Sequence, residues 1–294
     1  MKYKFALAGG DLRNVKLAAL FEEDGHDVYT YALDSSSGRF YHRCNSMSEA
    51  FGRGHVIVGP MPFTIDGTIL NAPLHSADIE LDDLLLSVPE GRLLIAGRIP
   101  SAFKEKAQKK GIVTVDLLER EDMAMLNTIP TAEGAVQIAM EELPVTIHGL
   151  RVMVLGLGKV GGTLADMLKA LGADVTVAIR KSRDAAKAMV KGLKHCGFED
   201  LTEAVTESEL IYNTVPAKVI GPEILDQVGK KTLIIDLASA PGGVDFEYAA
   251  KKEVKAIQAL SLPGKVAPVS AAQNMARVIY NIIHESGFGG MENA

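Results

Sequence analysis

Three glycines at fixed spacing are the sharpest chemical feature of this sequence. Gly156, Gly158 and Gly161 form a G-x-G-x-x-G pattern directly after the apolar run 152–155, which is typical of a buried strand. In a strand–turn–helix unit the first glycine allows a tight turn, the second lets the backbone approach a pyrophosphate, and the third lets helix and strand pack closely. Amide groups and the dipole at the helix N-terminus favour an anion. The motif therefore predicts a dinucleotide site, and the alternative is a purely structural glycine turn.

The residues after the next predicted strand, 174–179, bear on which dinucleotide binds. A site that prefers NAD needs a carboxylate about 20 residues after the motif, where it accepts a hydrogen bond from the ribose 2′-hydroxyl. This sequence has Arg180-Lys181-Ser182-Arg183 at that place. Arg180 can clamp a 2′-phosphate with paired donors, and Ser182 can add a hydroxyl. We predict NADP rather than NAD; the alternative is a solvated basic loop.

Further predicted strands end at the same edge of this sheet, where doubly wound sheets bind their ligands. The segment 213–216 is placed to contact a ribose or nicotinamide, and the small-residue turn after 237 admits a flat ring. Each alone also fits an ordinary turn, but together they favour a cofactor site. The predicted cofactor residues are Gly156, Leu157, Gly158, Lys159, Val160, Gly161, Arg180, Lys181, Ser182, Arg183, Asn213, Thr214, Val215, Pro216, Ala238 and Ser239.

A second glycine turn, at 9–11, follows the first predicted strand and lacks the dinucleotide spacing. A helix N-terminus there can receive a substrate carboxylate, although an aspartate in this position is more often an N-cap. The charged run 119–122 follows another predicted strand, and the turn 262–268 ends the last one. A charged run is also typical of a solvated face. The substrate candidates are Gly10, Asp11, Arg13, Arg120, Gly264 and Lys265.

The sequence does not identify an acid–base pair. Glu133 and Lys265 are candidates, but Glu133 stands near a predicted helix start and also fits a structural role there. The seven histidines show neither metal-ligand spacing nor a Ser-His-Asp arrangement. Cys44 and Cys196 lie far apart and form no C-x-x-C pattern, so we predict no metal site and no disulfide.

Alternating strand and helix patterns must position these residues. Short apolar runs predict strands in the first half at 4–8, 28–33, 55–58, 93–96 and 113–115. Continuous apolar runs at 153–155 and 233–235 indicate parallel strands buried on both faces. Thr131 is expected to cap a helix that runs to Glu142 before Pro144. A second apolar-periodic helix, 271–286, is expected to pack on the first domain.

The predicted class is α/β, with two doubly wound parallel-sheet domains of Rossmann-like type in 294 residues. We expect a flavodoxin- or Rossmann-like substrate-side domain at 1–125 and a connecting helix and linker at 126–147. The nucleotide domain is expected at 148–268, and a C-terminal helix and tail at 269–294.

The overall charge excludes one class of partner. The chain has 31 lysines and arginines against 37 aspartates and glutamates, a net charge of −6, whereas nucleic-acid proteins present a basic face. No apolar run approaches the roughly 18 residues of a membrane span, and the N-terminus does not resemble a signal peptide. We therefore expect a cytoplasmic protein that binds neither nucleic acid nor membrane, and we predict a homo-oligomer.

An ordered series of motifs resembles the A-subunit family of bacterial dipicolinate synthases. The motifs are 9–11, 127–134, 146–149, the 156–162 glycine turn, 236–243 and 262–268. The resemblance implies NADP-dependent oxidation of dihydrodipicolinate, from the lysine branch, to dipicolinic acid in the mother cell of a sporulating bacterium. It also implies a flavoprotein-like B-subunit of dipicolinate synthase as partner and a small dicarboxylate as substrate.

The architecture is also similar to that of 2-hydroxy acid dehydrogenases. Their arginine and histidine are replaced here by Ser239 and Lys265, so a histidine-based hydroxy-acid oxidation is not expected. Two alternatives stay open: a related dehydrogenase of another small carboxylic acid, and a non-catalytic NADP-binding protein that organises the B-subunit.

Overall fold

The chain folds into two compact units in this computed structural model, which describes residues 2–34, 42–239 and 241–288. Unit 1 comprises 1–126 together with 267–294, and unit 2 comprises 127–266. The C-terminal segment thus belongs to the same unit as the N-terminal half.

Unit 1 contains a six-stranded parallel sheet in the order β3-β2-β1-β4-β5-β6. Its strands are β1 (Lys4–Ala8), β2 (Asp27–Tyr31), β3 (His42–Arg43), β4 (Val56–Val58), β5 (Leu93–Ala96) and β6 (Val113–Asp116). The five strands predicted from apolar runs are confirmed. The short strand β3 escaped prediction because its two residues are exposed and carry no apolar pattern.

In the described part of unit 1 that precedes unit 2 in the chain, five helices lie between or after these strands. They are α1 (Leu12–Glu23), α2 (Met47–Arg53), α3 (Leu81–Ser87), α4 (Ser101–Lys109) and α5 (Glu121–Leu126), with a 3-10 turn at Leu117–Glu119. The apolar face of α1 covers β1, where the rings of Phe5 and Phe21 stack with centroids 3.8 Å apart.

Unit 2 contains a second six-stranded parallel sheet in the order β9-β8-β7-β10-β11-β12. Its first three and last three strands are arranged as in unit 1. The strands are β7 (Arg151–Leu155), β8 (Asp174–Ile179), β9 (Lys194–Gly197), β10 (Leu210–Asn213), β11 (Leu233–Asp236) and β12 (Lys255–Gln258). The helices are α6 (Thr128–Glu142), α7 (Lys159–Ala170), α8 (Ser182–Val190), α9 (Leu201–Ala204), α10 (Pro222–Leu225), α11 (Phe246–Lys251) and α12 (Leu262–Val266). Both sheets therefore have the doubly wound order of Rossmann folds, as predicted.

The beginning of α6 differs from the sequence prediction. Thr131 is not the N-cap: the helix begins at Thr128, and the Thr131 hydroxyl donates to the carbonyl oxygen of Asn127, 2.7 Å away. Proline is tolerated in a first helical turn, so Pro130 does not prevent the earlier start. A threonine inside a helix commonly bonds the carbonyl four residues back, which removes the need for a capping role.

The segment 262–268 also differs from the expected open turn. Residues 262–266 form the short helix α12, which packs on α6. A Cβ added to Gly134 of α6 would lie 3.1 Å from both methyl carbons of Val266 and would force that side chain to shift, so the glycine favours the close approach of the two helices. The segment is thus a packed part of unit 2.

The last helix, α13 (Pro268–Glu285), packs against α1 and completes the core of unit 1. It begins three residues earlier than predicted because Pro268 occupies its first turn, where a proline loses no hydrogen bond. Met275 and Ile279 on its inner face are both 0% exposed. The expectation that the C-terminal helix returns to the first domain is confirmed. No helix in the described part of the chain is long and apolar enough to cross a membrane.

We predict that Ile279→Ala lowers the free energy of unfolding of the full chain by about 2–4 kcal/mol, because it leaves a cavity in the core of unit 1, where α13 packs against α1. Urea denaturation followed by circular dichroism measures the change. Gln273→Ala, at an exposed position of the same helix, serves as the control and should change stability by less than about 0.5 kcal/mol. Equal effects of the two substitutions would contradict the packing of α13.

Candidate functional site

The glycine turn of unit 2 connects the end of β7 to the start of α7. Gly156 has a φ of +89°, and its amide donates to the carbonyl oxygen of Ala178 at 2.9 Å, which ties the turn to β8. A Cβ on Gly161 would lie 2.1 Å from the carbonyl oxygen of Gly156. The first and third glycines of the motif are therefore required by the backbone itself, whether or not a ligand binds.

Gly158 is the one glycine of the motif that the fold does not require. Its φ of −71° is open to any residue, and a Cβ added to it would meet no atom within 4 Å. It is the N-cap of α7 and brings no side chain to bond the first amide groups of the helix. The turn thus leaves an open cradle with amide donors and a positive helix end, which fits a pyrophosphate.

Asn213 does not face this cradle, and its predicted role as a cofactor contact is corrected. The residue is 0% exposed, and its amide nitrogen donates to the carbonyl oxygen of Val215 at 3.0 Å and to a carboxylate oxygen of Asp236 at 2.8 Å. Its side-chain oxygen accepts from the Val215 amide at 3.1 Å. Its polar atoms are committed to the protein, so Asn213 holds the ends of β10 and β11 together.

Two neighbours of Asn213 complete this support. Asp236, which is also 0% exposed, accepts from the amides of Ala238 at 3.1 Å and Gly243 at 2.8 Å. The Thr214 hydroxyl donates to the carbonyl oxygen of Leu155 at 2.8 Å, directly beneath Gly156. Asp236 was not among the predicted residues. Its position at the end of an otherwise apolar strand could have indicated a buried carboxylate with hydrogen-bond partners.

A cavity of about 230 Å³ adjoins the glycine turn. It is lined by Gly156, Leu157, Gly158, Ile179, Arg180, Lys181, Asp184, Phe198, Thr214, Val215 and Pro216. The structure therefore brings eight of the sixteen predicted cofactor residues to one cavity. Lys159, Val160, Gly161, Ser182, Arg183, Ala238 and Ser239 do not line it, nor does Asn213.

Three residues that line the cavity were not among the predicted ones: Ile179, Asp184 and Phe198. Phe198 follows β9, and the guanidinium carbon of Arg180 lies 4.5 Å from the centroid of its ring, a cation–π contact. Asp184, in the first turn of α8, places a carboxylate in a cavity where we expected only cations. The carboxylate of Asp184 thus partly offsets the positive charge of the cluster 180–183. Since the cavity does contain a carboxylate, the preference for NADP cannot be based on the lack of one.

The substrate candidates at the first glycine turn are engaged within unit 1. Arg13 is 6% exposed, and its guanidinium donates to both carboxylate oxygens of Asp11 and to the carbonyl oxygen of Met61. Burial would raise the pKa of Asp11, but the hydrogen bonds and charge of Arg13 lower it below its usual value. Asp11 also caps α1 by accepting from the Arg13 amide at 2.9 Å. The amide of Gly10 donates to the carbonyl oxygen of Asn71. These residues form a structural clamp, which corrects their predicted role as ligand donors.

Arg120 is likewise occupied. Its guanidinium binds Asp122 at 2.8 Å and Glu285 at 2.5 Å, and so ties α5 to α13. The Arg120 hydrogen bonds lower the pKa of Asp122 to about 2 and lower that of Glu285 as well. An arginine neutralised by two carboxylates is a poor anchor for a further anion, so Arg120 has a structural role in place of the predicted substrate contact.

The remaining candidates stand on helices of unit 2. Gly264 and Lys265 lie on α12, where Lys265 is exposed, and Glu133 is exposed on α6 rather than at its start. Their proposed roles stay predictions. Within the described residues, no three histidine, cysteine, aspartate or glutamate side chains are grouped so as to hold a metal ion.

We predict that Gly158→Ala and Gly161→Ala separate ligand binding from folding. Gly161→Ala forces a Cβ against the Gly156 carbonyl and should lower the free energy of unfolding by about 1–3 kcal/mol. Gly158→Ala should leave stability unchanged, yet weaken dinucleotide binding by on the order of 10-fold because a methyl group keeps the pyrophosphate away from the backbone. Thermal denaturation and calorimetric titration measure the two effects. Unchanged dinucleotide affinity in Gly158→Ala would exclude the cradle.

Comparison with known proteins relates both units to described families. Residues 4–118 match the family described as the N-terminal domain of the dipicolinate synthase A-subunit. Residues 123–242 match the NAD binding domain of D-isomer specific 2-hydroxyacid dehydrogenases. A nicotinamide dinucleotide is therefore the class of cofactor, and the chain is of the oxidoreductase type.

Relatives match over nearly the whole chain. The dipicolinate synthase A-subunit of Bacillus subtilis (strain 168) is 35% identical over 286 residues, which cover 96% of each chain. The crystal structure of the dipicolinate synthase A-subunit from Bacillus halodurans has a TM-score of 0.86 at 28% identity and covers 95% of this chain and 97% of that one. The crystal structure of the Bacillus subtilis protein has a TM-score of 0.85 at 34% identity and covers 97% of this chain and 96% of that one. With this extent of similarity, the chain belongs to the dipicolinate synthase A-subunit family.

Proposed function

We propose that this chain is the NADP-dependent dehydrogenase component of a dipicolinate synthase and oxidises dihydrodipicolinate to dipicolinate. Similarity along the whole chain to dipicolinate synthase A-subunits supports the choice of substrate. The observation that carries the redox role is the open cradle at Gly158, a position where the fold tolerates a side chain but a bound pyrophosphate would not.

The reaction removes a hydride and a proton from the ring of dihydrodipicolinate and leaves an aromatic pyridine. NADP, when bound, supplies the nicotinamide carbon that accepts the hydride. The protein has to bind the phosphates, hold two carboxylates in a fixed orientation and accept the ring proton. The gain of aromaticity provides the driving force, so orientation is the main requirement on the protein.

The phosphate-binding part of this assignment lies within unit 2. The amide groups at the start of α7 would receive the pyrophosphate, and Arg180 with Lys181 would receive a 2′-phosphate. Phe198 stacks beneath Arg180 and keeps its planar fork in place. Asp184 acts against a 2′-phosphate and would instead accept a hydrogen bond from a 2′-hydroxyl, so the balance between these side chains decides between NADP and NAD.

The remaining roles follow from positions at the strand ends and from membership of the family. Val215, Pro216 and Ser239, at the ends of β10 and β11, are assigned to the ribose and nicotinamide side of the site. Glu133 or Lys265 would accept the proton. A flavoprotein-like B-subunit is the proposed partner, and the mother-cell cytoplasm is the proposed location; both rest on membership of the family.

Cofactor choice gives the first test. Arg180→Ala should weaken NADP binding by about 10- to 100-fold, the loss expected for charge-assisted hydrogen bonds, and should weaken NAD binding by less than about 3-fold. Calorimetric titration of both dinucleotides measures this. Arg151→Ala is the matched control, since Arg151 is exposed at the opposite end of β7.

The reciprocal variant sharpens this result. Asp184→Asn removes the carboxylate from the cavity and should improve NADP binding relative to NAD. If Arg180→Ala weakens both dinucleotides equally and Asp184→Asn lowers the affinity for NAD alone, the cofactor is NAD.

Catalysis itself is tested by hydride transfer. Dihydrodipicolinate labelled with deuterium at the ring carbon that donates the hydride should pass the label to NADP when mixed with the purified chain, with and without the B-subunit. Label transfer by the purified chain alone places the chemistry in this chain. Tight NADP binding without any transfer, alone or with the B-subunit, would favour the non-catalytic alternative.

A further inference from the structure

A ring dicarboxylate needs cationic partners, and Arg13 and Arg120, the two that the sequence suggested in unit 1, are both neutralised by carboxylates. Other cations lie near the carboxyl edge of this sheet, the edge at which its strands end. Lys104 on α4 is paired with Asp116 and Glu119. Arg98, which follows β5, is not engaged in this way.

The turn that carries Arg98 is connected to the centre of the carboxyl edge. The Gly97 amide donates to the carbonyl oxygen of Pro60 at 3.0 Å, and the Gly97 carbonyl accepts from the Phe63 amide. The Phe63 carbonyl accepts from Asn71, whose own carbonyl accepts from Gly10; both distances are 2.9 Å. These contacts join the turn after β5 to the turns after β4 and β1. The strand order reverses between β1 and β4, and doubly wound sheets bind their ligands at such a point.

The backbone of Arg98 is held in an unfavourable conformation. Its φ is +56°, in the left-handed region that favours glycine. The buried carboxylate of Asp116 fixes this conformation by accepting from the Arg98 amide at 2.8 Å and from the Ile99 amide at 2.7 Å. Strain of this kind persists where the surroundings over-determine the backbone, and it is concentrated at functional sites.

The side chain of Arg98 makes no polar contact with the described residues that would offset this strain. It is exposed, and its guanidinium forms no hydrogen bond or ion pair with any residue that the structure describes. Glycine would satisfy the same backbone contacts without strain, so the fold alone does not account for an arginine here. Its planar fork of donors matches a carboxylate, which it binds with two parallel hydrogen bonds.

We propose that Arg98 binds one carboxylate of the substrate at the carboxyl edge of the unit 1 sheet. The inference rests on the proposed function, which supplies the dicarboxylate. It makes Arg98 a substrate-binding residue and Asp116 the positioning residue that fixes the turn from which it extends.

The test compares Arg98→Gly, Arg98→Gln and Arg98→Lys with wild type in the full chain. Arg98→Gly relieves the left-handed strain, so its thermal midpoint should equal or exceed that of wild type. Its KM for dihydrodipicolinate should rise by about 10- to 100-fold, the loss expected for paired charge-assisted hydrogen bonds. Dipicolinate as a product inhibitor should weaken by a similar factor. Arg98→Lys should retain part of the affinity, and Arg98→Gln little of it.

Two control variants separate charge and backbone effects from binding. Arg277→Gln removes one exposed positive charge of unit 1 from the outer side of α13 and should leave KM unchanged. Glu253→Gly relieves another left-handed residue, with φ +59°, and should affect stability alone.

The outcomes distinguish this inference from the proposed function. If wild type does not oxidise dihydrodipicolinate with or without the B-subunit, both fail together. If wild type oxidises it and Arg98→Gly has a KM within about 2-fold of wild type, the proposed function stands and the role of Arg98 is overturned. If Arg277→Gln raises the KM as much as the Arg98 variants do, the effect is due to the net charge of the protein, and the role of Arg98 is also overturned.

Discussion

Each sheet ends one of its strands on a buried aspartate, and the geometry of both candidate sites depends on the hydrogen bonds that these carboxylates accept. Asp116 ends β6 and binds the amides of Arg98, Ile99 and Leu118. Asp236 ends β11 and binds two loop amides and the side chain of Asn213. Parallel strands leave backbone donors without partners where they end, and burying such donors is costly. A carboxylate at the last position of the strand satisfies them and fixes the adjoining loop.

The sequence was sufficient for features that depend on local pattern. Apolar runs located most strands of both sheets, and glycine spacing located the turn after β7, because burial and backbone conformation act over a few residues. The side chains that pair with each other through ion pairs and hydrogen bonds could not be predicted in this way. Arg120 and Glu285 are 165 residues apart in the chain, so only the return of α13 reveals that this arginine is neutralised. Asn213 looked like a cofactor contact because its position at a strand end was visible, whereas its bond to Asp236 was not.

Four arginines illustrate why residue type and position alone do not identify a ligand site in an acidic protein. Arg13 is buried in a clamp, Arg120 ties two helices, Arg180 stacks on an aromatic ring in a cavity, and Arg98 extends from a strained turn. The first two contribute to the fold because each has a carboxylate partner within unit 1. The last two keep their donors available because the surrounding protein supports them by stacking or through the backbone.

The return of α13 to unit 1 also has a consequence for the order of folding during synthesis. The ribosome produces strands β1 to β6, then all of unit 2, and only then the helix that covers α1. Since Met275 and Ile279 are fully buried in the core of unit 1, that core cannot close while unit 2 is being made. Unit 2 is continuous in sequence and can complete its core first. Unit 1 therefore becomes native only after unit 2 has been synthesised, and its α1 surface stays uncovered in the nascent protein until α13 has emerged.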